Sequence, residues 1–158
     1  MTKRATIDVD GVPISYLTAG DGGPLVLLLH GTYWSRVWQP VLDDIAAAGL
    51  RPVAVDFPGF GRSAGELTVA EASIPQLAAW LVRFLDAIGS KGPVMVGGHD
   101  IGGGVVQQLL ISRVVDVPRL ALVNAVMYDS WPVPGVARLR DPAVAAATSP
   151  ADVLAARR

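Results

Sequence analysis

The stretch that decides the fold reads Pro93-Val-Met-Val-Gly-Gly-His-Asp-Ile-Gly-Gly-Gly104. The apolar run at residues 94–96 stops at glycines, and an apolar helical pattern resumes directly after the single acid, so the stretch predicts a strand, a sharp turn and a helix. Gly98 and Gly102 bracket Asp100 as G-x-D-x-G, a spacing in which small residues let the strand and the helix approach while the middle side chain is forced outward. We therefore expect the Asp100 carboxylate to project from a strained turn.

Two interpretations of Asp100 follow from this placement. A carboxylate is ionised at neutral pH and needs no base to activate it, so it can attack a carbon centre directly and form an ester with the protein. The structural alternative is that Asp100 only caps the helix that begins at Ile101, because an aspartate before a helix often accepts hydrogen bonds from the first backbone N–H groups. The two flanking glycines and the His-Gly loop upstream favour the nucleophile.

Length and composition limit the possible partners. With 158 residues, 51% of them hydrophobic, the chain is predicted to form one compact domain with a sizeable core. Thirteen basic and fourteen acidic residues give a net charge of −1 without a basic stripe, which argues against nucleic acid as a partner. The absence of cysteine and the wide spacing of the two histidines argue against disulfides and against a metal site.

Neither an export signal nor a cofactor motif is evident. Residues 1–4 run into alternating polar and apolar residues rather than an apolar core, and no run approaches the length of a membrane span, so we predict a cytoplasmic protein with no membrane partner. The pattern Gly59-x-Gly61-x-x-Ala64 fits a dinucleotide fingerprint, but no apolar helix opens directly after it, and no cofactor is expected.

The rest of the chain alternates predicted strands with predicted helices. A β-hairpin is predicted over residues 4–19, around the turn dipeptide at residues 10–11. Strands buried on both faces are predicted at Leu25–Leu29 and at residues 52–55, and the last strand at Leu120–Val123. Helical spacing predicts a second helix over residues 77–88, and a first over residues 35–49 whose buried face would hold Val37, Val41, Leu42, Ile45 and Ala48.

This alternation predicts the α/β class, with a mostly parallel sheet and helices on both faces. Ligands of such sheets bind at the carboxyl ends of the strands. His30-Gly31-Thr32, Asp56 and Asp100 each follow a predicted strand directly. We therefore expect these residues to meet at one end of the sheet.

Three ordered motifs carry a resemblance to a known superfamily. Leu28-Leu29-His30-Gly31, Asp56-Phe57-Pro58-Gly59-Phe60-Gly61-Arg62-Ser63 and Gly98-His99-Asp100-Ile101-Gly102-Gly103 occur in an order and at spacings that resemble the α/β-hydrolases, from the first hairpin to about Val126. The Gly-His-Asp elbow is similar to the branch that contains epoxide hydrolases and haloalkane dehalogenases. The resemblance implies that Asp100 attacks an sp3 carbon of a small apolar epoxide or organohalide and displaces an alkoxide or a halide.

The resemblance also implies how the ester would be handled. A water activated by a histidine would hydrolyse it, while the backbone N–H groups of Thr32 and Ile101 would hold the oxyanion. Here Ile101 and Thr32 stand where haloalkane dehalogenases handle the halide, Tyr33 stands where epoxide hydrolases usually carry proline, and Asn124 stands where one dehalogenase branch has its acid. The cap of the family would begin near Trp131.

The catalytic histidine is the largest departure, because it comes last in this superfamily and no histidine follows His99 here. His30 is expected to brace the oxyanion loop, and the His99 side chain is expected to leave the elbow in another direction. The chain is therefore predicted to be the front part of a larger hydrolase, with residues 1–128 in the core and residues 129–158 starting the cap. It would be a truncated form, a proteolysed product, or a subunit whose partner chain brings the acid and the histidine, and its last strand should have an unpaired edge.

Other residues near the expected site have supporting interpretations. Trp34 and Trp131 lie in loops near the expected pocket mouth and are candidates to line it, with ordinary packing as the alternative. Asp56 is expected to stabilise loop geometry, with Arg62 as a local partner. Two functions from different classes remain open: an aspartate-nucleophile hydrolase, and a non-catalytic binding or assembly module that keeps the hydrolase fold.

Overall fold

The computed structural model describes residues 1–149 and 151–152, and its central feature is a six-stranded sheet. The strands lie in the order β1-β2-β4-β3-β5-β6. Their bounds are β1 Lys3–Val9, β2 Val12–Thr18, β3 Leu25–Leu29, β4 Arg51–Val55, β5 Met95–His99 and β6 Leu120–Val123. The β4, β3, β5 and β6 strands pair in parallel, whereas β2 pairs antiparallel with both of its neighbours. The predicted mostly parallel sheet of the α/β class is confirmed.

Helices cover both faces of this sheet, as predicted. Helix α1 (Gln39–Ala47) buries Leu42 against Leu28 and Ala54 on one face. Helices α2 (Ile74–Ala87) and α3 (Ile101–Ser112) pack on the other face, where Leu27 and Leu29 belong to the main core. Because β3 and β4 are covered on both sides, their residues form near-continuous apolar runs.

The amino-terminal hairpin also follows its prediction. Asp10 and Gly11 have φ of 55° and 83°, and Val9 pairs with Val12 across the two-residue turn. Positive φ at both central positions is the geometry of a type I′ turn, which matches the twist of the flanking strands. The hairpin extends the parallel sheet and brings β1 residues alongside the loop after β4.

The strand before Asp100 is longer than the sequence predicts. The sequence places its end at residue 96, but β5 continues through Gly97 and Gly98 to His99, paired with β3 and β6. A Cβ at Gly97 would lie 2.7 Å from the Leu28 side chain. The glycines therefore end the apolar run because neighbouring atoms fill the space of their side chains, while their backbone stays extended.

The predicted helix over residues 35–49 is wrong in its first third. Residues Ser35–Trp38 form a short 3-10 helix, and α1 begins only at Gln39, with Pro40 in its first turn. Proline lacks an N–H group and suits the first turn of a new helix better than a helix interior. Val37 and Val41 are consequently 38% and 40% exposed, and Ala48 is also exposed, so the predicted buried face is limited to Leu42 and the partly buried Ile45.

Strand β6 forms an edge of the sheet, in agreement with the predicted unpaired neighbour position. It pairs with β5, and no other described strand lies on its outer side. Leu120, Leu122 and Val123 are 37%, 39% and 44% exposed. Neither a charge nor a proline lies within the strand, so the usual protection of an exposed edge is missing from it.

The chain divides into two compact units, Met1–Val126 and a second that begins at Met127. The predicted boundary between core and cap after residue 128 stays a prediction. The described part of the second unit contains 3-10 turns at Tyr128–Ser130 and Arg138–Arg140 and two short helices, α4 (Pro134–Ala137) and α5 (Pro142–Ala147). That it starts a cap stays a prediction. Among the described residues, no helix has the length and apolar character needed to cross a membrane.

Candidate active site

The bend at Asp100 is a strained point of the candidate site. Asp100 joins the end of β5 to the start of α3 with φ 56° and ψ −124°, a conformation that costs a non-glycine residue about 1–3 kcal/mol. A Cβ at Gly98 would lie 2.5 Å from the Gly102 carbonyl oxygen, and a Cβ at Gly102 would lie 2.5 Å from that of His30. The two glycines therefore let the strand, the helix and the loop after β3 come together around the aspartate.

The Asp100 carboxylate points to the loop after β3. Its Oδ2 accepts hydrogen bonds from the Thr32 backbone N–H at 3.2 Å and from the Thr32 hydroxyl at 2.8 Å. The Asp100 side chain makes no capping hydrogen bond to α3, so the interpretation of Asp100 as a helix cap is wrong. No described residue donates a hydrogen bond to Oδ1, and Asp100 is only partly buried.

Gly31 makes room for this carboxylate. A Cβ at Gly31 would overlap the Cβ, Cγ and Oδ2 atoms of Asp100. Any side chain at position 31 would therefore displace the carboxylate from Thr32. The sequence identified Gly31 as a structural neighbour of the site, and the structure supplies the steric reason.

One of the two predicted oxyanion donors contacts this carboxylate, and the other directly follows Asp100 in the chain. The Thr32 N–H contacts Oδ2, and Ile101 is the first residue of α3, so its N–H has no acceptor within the helix. The positive end of the α3 dipole also lies at this point. The arrangement can stabilise negative charge next to Asp100.

His30 is fully buried and both of its ring nitrogens are occupied. Nδ1 lies 2.8 Å from the Gly31 carbonyl oxygen, which can only accept, while Nε2 accepts a hydrogen bond from the Phe57 N–H at 3.2 Å. The imidazole is therefore the neutral tautomer with its proton on Nδ1. Burial lowers the pKa of His30 below its ordinary value, although the Gly31 carbonyl and the nearby Asp56 act in the opposite direction. These contacts agree with the predicted bracing role and leave His30 no free nitrogen for general-base chemistry.

Asp56 forms contacts with three separate segments of the chain. Its fully buried carboxylate accepts hydrogen bonds from the Ser35 N–H at 2.7 Å and the Arg62 N–H at 3.1 Å, and forms an ion pair with the Arg4 guanidinium at 3.2 Å. The expected structural role of Asp56 agrees with these contacts. Arg62 contributes its backbone N–H here, whereas the charged partner is Arg4 from β1.

Comparison with known proteins identifies the family of the fold. The family model described as the alpha/beta hydrolase fold matches residues 24–145. The chain belongs to the α/β-hydrolase fold family. It is 38% identical over 122 residues to the dihydrolipoyllysine-residue acetyltransferase component of the acetoin cleaving system of Cupriavidus necator, covering 77% of this chain and 32% of that protein.

Epoxide hydrolases are also among the relatives. Epoxide hydrolase A of Mycobacterium tuberculosis is 32% identical over 128 residues, covering 80% of this chain and 38% of that protein. The crystal structure of an epoxide hydrolase from Vigna radiata superposes with a TM-score of 0.73 at 25% identity, covering 88% of this chain and 46% of that one. The chain thus spans about a third of the length of the two curated relatives named here, which agrees with the predicted incomplete hydrolase fold.

His99 belongs to the opposite side of the hydrolase sheet from α3. A Cβ at Gly97 would meet Leu28 and Trp38 on the α1 face, and alternation along β5 puts the His99 side chain on that same face. The His99 side chain thus leaves the elbow in another direction, as predicted. Its Nδ1 is buried and has no hydrogen-bond partner among the described residues.

The structure brings some of the remaining predicted residues to the elbow. Asn124 lies in the segment after β6, where the Val123 carbonyl accepts from the Asp100 N–H at 3.4 Å and the Val126 N–H donates to the Asp100 carbonyl at 3.1 Å. Trp34 follows Thr32 by two positions. Trp131 lies in the second unit, so its predicted place at the pocket mouth stays a prediction.

Sequence reasoning missed two contributors to this candidate site. The Thr32 side chain was overlooked because the motif assigns only a backbone N–H to that position. Arg4 was overlooked because it lies in a hairpin far from every motif, yet its guanidinium pairs with Asp56 and lies 5.4 Å from the centroid of the Trp34 ring. No local pattern distinguishes Arg4 from its neighbour Lys3. Within the described residues, no group of three or more His, Cys, Asp or Glu side chains could hold a metal ion.

Proposed function

We propose that this chain carries the nucleophile of a hydrolase that acts on small apolar epoxides or organohalides. In the proposed step, Asp100 Oδ1 attacks an sp3 carbon of the substrate. The new Oδ1–carbon bond forms as the carbon–oxygen bond of the epoxide or the carbon–halogen bond breaks. The bonding electrons leave with the alkoxide or the halide, and an alkyl-enzyme ester remains.

The observation that carries this proposal is the placement of the Asp100 carboxylate. One oxygen is held by Thr32, the other accepts no hydrogen bond from a described residue, and the group is partly exposed on a strained bend. An ionised carboxylate oxygen that no described residue occupies is available to approach a carbon centre. The similarity to Epoxide hydrolase A of Mycobacterium tuberculosis, at 32% identity, supports the substrate class.

Hydrolysis of the ester is the step for which the chain offers no evident base. Its sequence contains two histidines, of which His30 has both nitrogens occupied and His99 lies on the α1 face. We propose that the base and its supporting acid come from polypeptide outside this chain, in the same protein or in a partner. The exposed outer edge of β6 supports this proposal, because an additional strand could pair there.

The test is intact-protein mass spectrometry after incubation with styrene oxide or 1-bromobutane. We expect a mass increase of one hydroxyalkyl group with styrene oxide or one butyl group with 1-bromobutane that maps to Asp100, and no increase in Asp100→Asn. Asp86→Asn, which removes an exposed carboxylate on α2, is the matched control and should react like the wild type. A folded wild-type chain that gains no mass, or that gains the same mass in Asp100→Asn, contradicts the proposal.

A second candidate function is a non-catalytic binding or assembly module. Two observations favour it: neither histidine is placed as a base, and the relative at 38% identity is named as a component of a larger system. This candidate predicts a folded chain that forms no Asp100 adduct with either reagent. The same mass spectrum therefore discriminates between the two functions.

A further inference from the structure

The Thr32 hydroxyl makes a contact that the elbow motif does not require. The motif needs only the backbone N–H of residue 32, but Oγ1 donates to Asp100 Oδ2 at 2.8 Å, a shorter contact than the 3.2 Å from the backbone nitrogen. Thr32 is exposed, so this hydroxyl could bond to water at little cost if it had no task at the carboxylate. We propose that the Thr32 hydroxyl is a catalytic hydrogen-bond donor that accelerates cleavage of the Asp100 ester and not its formation.

The reason lies in which oxygen the hydroxyl contacts. Both Thr32 donors bind Oδ2, which leaves Oδ1 to form the bond to substrate carbon. In the resulting ester, Oδ2 is the carbonyl oxygen. When a nucleophile adds to Cγ, the negative charge develops on Oδ2, and a donor already in place stabilises that charge without reorganisation. The hydroxyl therefore binds the transition state of cleavage more strongly than it binds the ester.

Ester formation has the opposite charge flow. Negative charge moves away from the carboxylate toward the alkoxide or halide, so a hydrogen bond to Oδ2 stabilises the starting carboxylate more than the transition state. Removal of the hydroxyl should leave this step as fast as in the wild type, or faster. This split between the two steps distinguishes a catalytic donor from a residue that only holds the loop in place, since displacement of the loop would slow both.

The rigidity of the surroundings supports such a donor. The loop is held on both sides of Thr32. Gly31 packs directly against Asp100, and the Ser35 N–H donates a hydrogen bond to buried Asp56. A donor on a fixed loop contributes more to a transition state than one that must reorient. The inference rests on the proposed function, since it requires the Asp100 ester to form.

The experiment separates the two steps by using hydroxylamine as the nucleophile in place of a base-activated water. The full 158-residue chain is first converted to its styrene oxide adduct, and excess reagent is removed. The hydroxylamine nitrogen then attacks Cγ, the Cγ–Oδ1 bond breaks, and the alkoxide leaves as the diol after taking a proton from the attacking nitrogen. The product is an Asp100 hydroxamate, whose formation is followed by mass. Oxygen-18 in the epoxide or in Asp100 is not needed, because the mass change alone reports the exchange.

The comparison uses three variants in the same two steps. Thr32→Val keeps the shape of the side chain without the hydroxyl, and Thr32→Ser keeps the hydroxyl. Thr68→Val removes the hydroxyl of another exposed threonine in a different loop and serves as the control. We expect hydroxylamine cleavage to be about 10-fold slower in Thr32→Val, less than for a donor in an enclosed site because Thr32 is exposed. Cleavage in Thr32→Ser and Thr68→Val should match the wild type, and adduct formation should not be slower in any of the variants.

The outcomes separate this inference from the proposed function. If the wild type forms no adduct, the proposed function fails and this inference fails with it. If the wild-type adduct forms but Thr32→Val cleaves at the same rate, only this inference is overturned. It is also overturned if Thr32→Val slows both steps equally, because that result indicates a displaced loop.

Discussion

Asp56 follows β4 and Asp100 follows β5, so both carboxylates stand at the carboxyl ends of parallel strands, but their surroundings are opposite. Asp56 is fully buried, and donors from three separate segments take up both of its oxygens. Asp100 is partly exposed, and both of its described donors belong to Thr32 and contact the same oxygen. The contacts of Asp56 suit a carboxylate that holds segments together, whereas the partly exposed Asp100 is the carboxylate for which we propose a reaction.

The largest expected effect comes from replacing each of the two aspartates by asparagine and comparing the stability of the two variants. Asp56→Asn keeps the shape but removes the charge that pairs with Arg4, and its amide NH2 group can accept no hydrogen bond from Ser35 or Arg62. We expect the free energy of unfolding to fall by about 3 kcal/mol, as for other broken buried pairs. Urea denaturation of both variants measures the effect.

Asp100→Asn is the control for that measurement. It should change the free energy of unfolding by no more than about 0.5 kcal/mol, because the side chain is partly exposed and asparagine tolerates positive φ. Equal losses of stability at positions 56 and 100 would show that the two carboxylates do not differ in role.

The second-largest effect is expected from Gly31→Ala, and it concerns the rate of adduct formation. The new methyl group would overlap Asp100 and push its carboxylate away from Thr32, without touching the contacts of Asp56. We expect adduct formation to slow by about 100-fold, the scale of a misplaced reacting group. Rates are measured from the mass of the alkylated chain over time.

Gly22→Ala is the matched control, since a Cβ at Gly22 has no heavy atom within 4 Å. It should react at the wild-type rate. If Gly31→Ala reacts equally fast, the position of the carboxylate does not depend on the space at residue 31, and the geometry argued for the site is incorrect.

The smallest expected effect concerns His30, which bonds to both loops. Burial lowers the pKa of His30 from its ordinary 6.5, so the unfolded chain takes up a proton below that pH while the folded chain stays neutral there. The contribution of His30 to stability is therefore fully present above about pH 6.5 and is lost as the pH falls toward the folded pKa, by at most about 1.4 kcal/mol per pH unit.

Thermal or urea unfolding of the wild type and of His30→Gln, between about pH 7.5 and pH 5, measures this pH dependence. The difference between the two proteins should correspond to the uptake of about one proton on unfolding. The wild type should lose stability on acidification more steeply than His30→Gln. Parallel curves for the two proteins would contradict a buried neutral His30.

The elements were predictable from sequence where the pattern is local. The hairpin follows from Asp10-Gly11, and α2 follows from its apolar spacing, because both depend on residues a few positions apart. The first helix was predicted too early, because the apolar spacing at Val37 and Val41 ignored the effect of Pro40. Strand β5 was predicted too short, because a glycine looks like an end of a strand unless the atoms that fill its place are known.

The candidate site was predictable only in part. The motifs placed His30, Gly31, Thr32 and Asp100 at one end of the sheet, and the structure brings them together there. They gave no indication of the Thr32 hydroxyl or of Arg4, since each acts through a side-chain contact with a distant residue. The role proposed for Asp100 rests on chemistry that the experiments above address, and the pocket-lining role of Trp34 and Trp131 stays a prediction.

The sequence by itself determined the strand, bend and helix around Asp100, because glycine spacing and apolar periodicity act over a few residues along the chain. Only the tertiary structure decided which atoms surround the carboxylates. Thr32 and Asp100 are 68 positions apart, and Arg4 and Asp56 are 52 apart. Such partners meet because β3 lies beside β5 and the hairpin beside β4, and that order of strands depends on burying both faces of the sheet together.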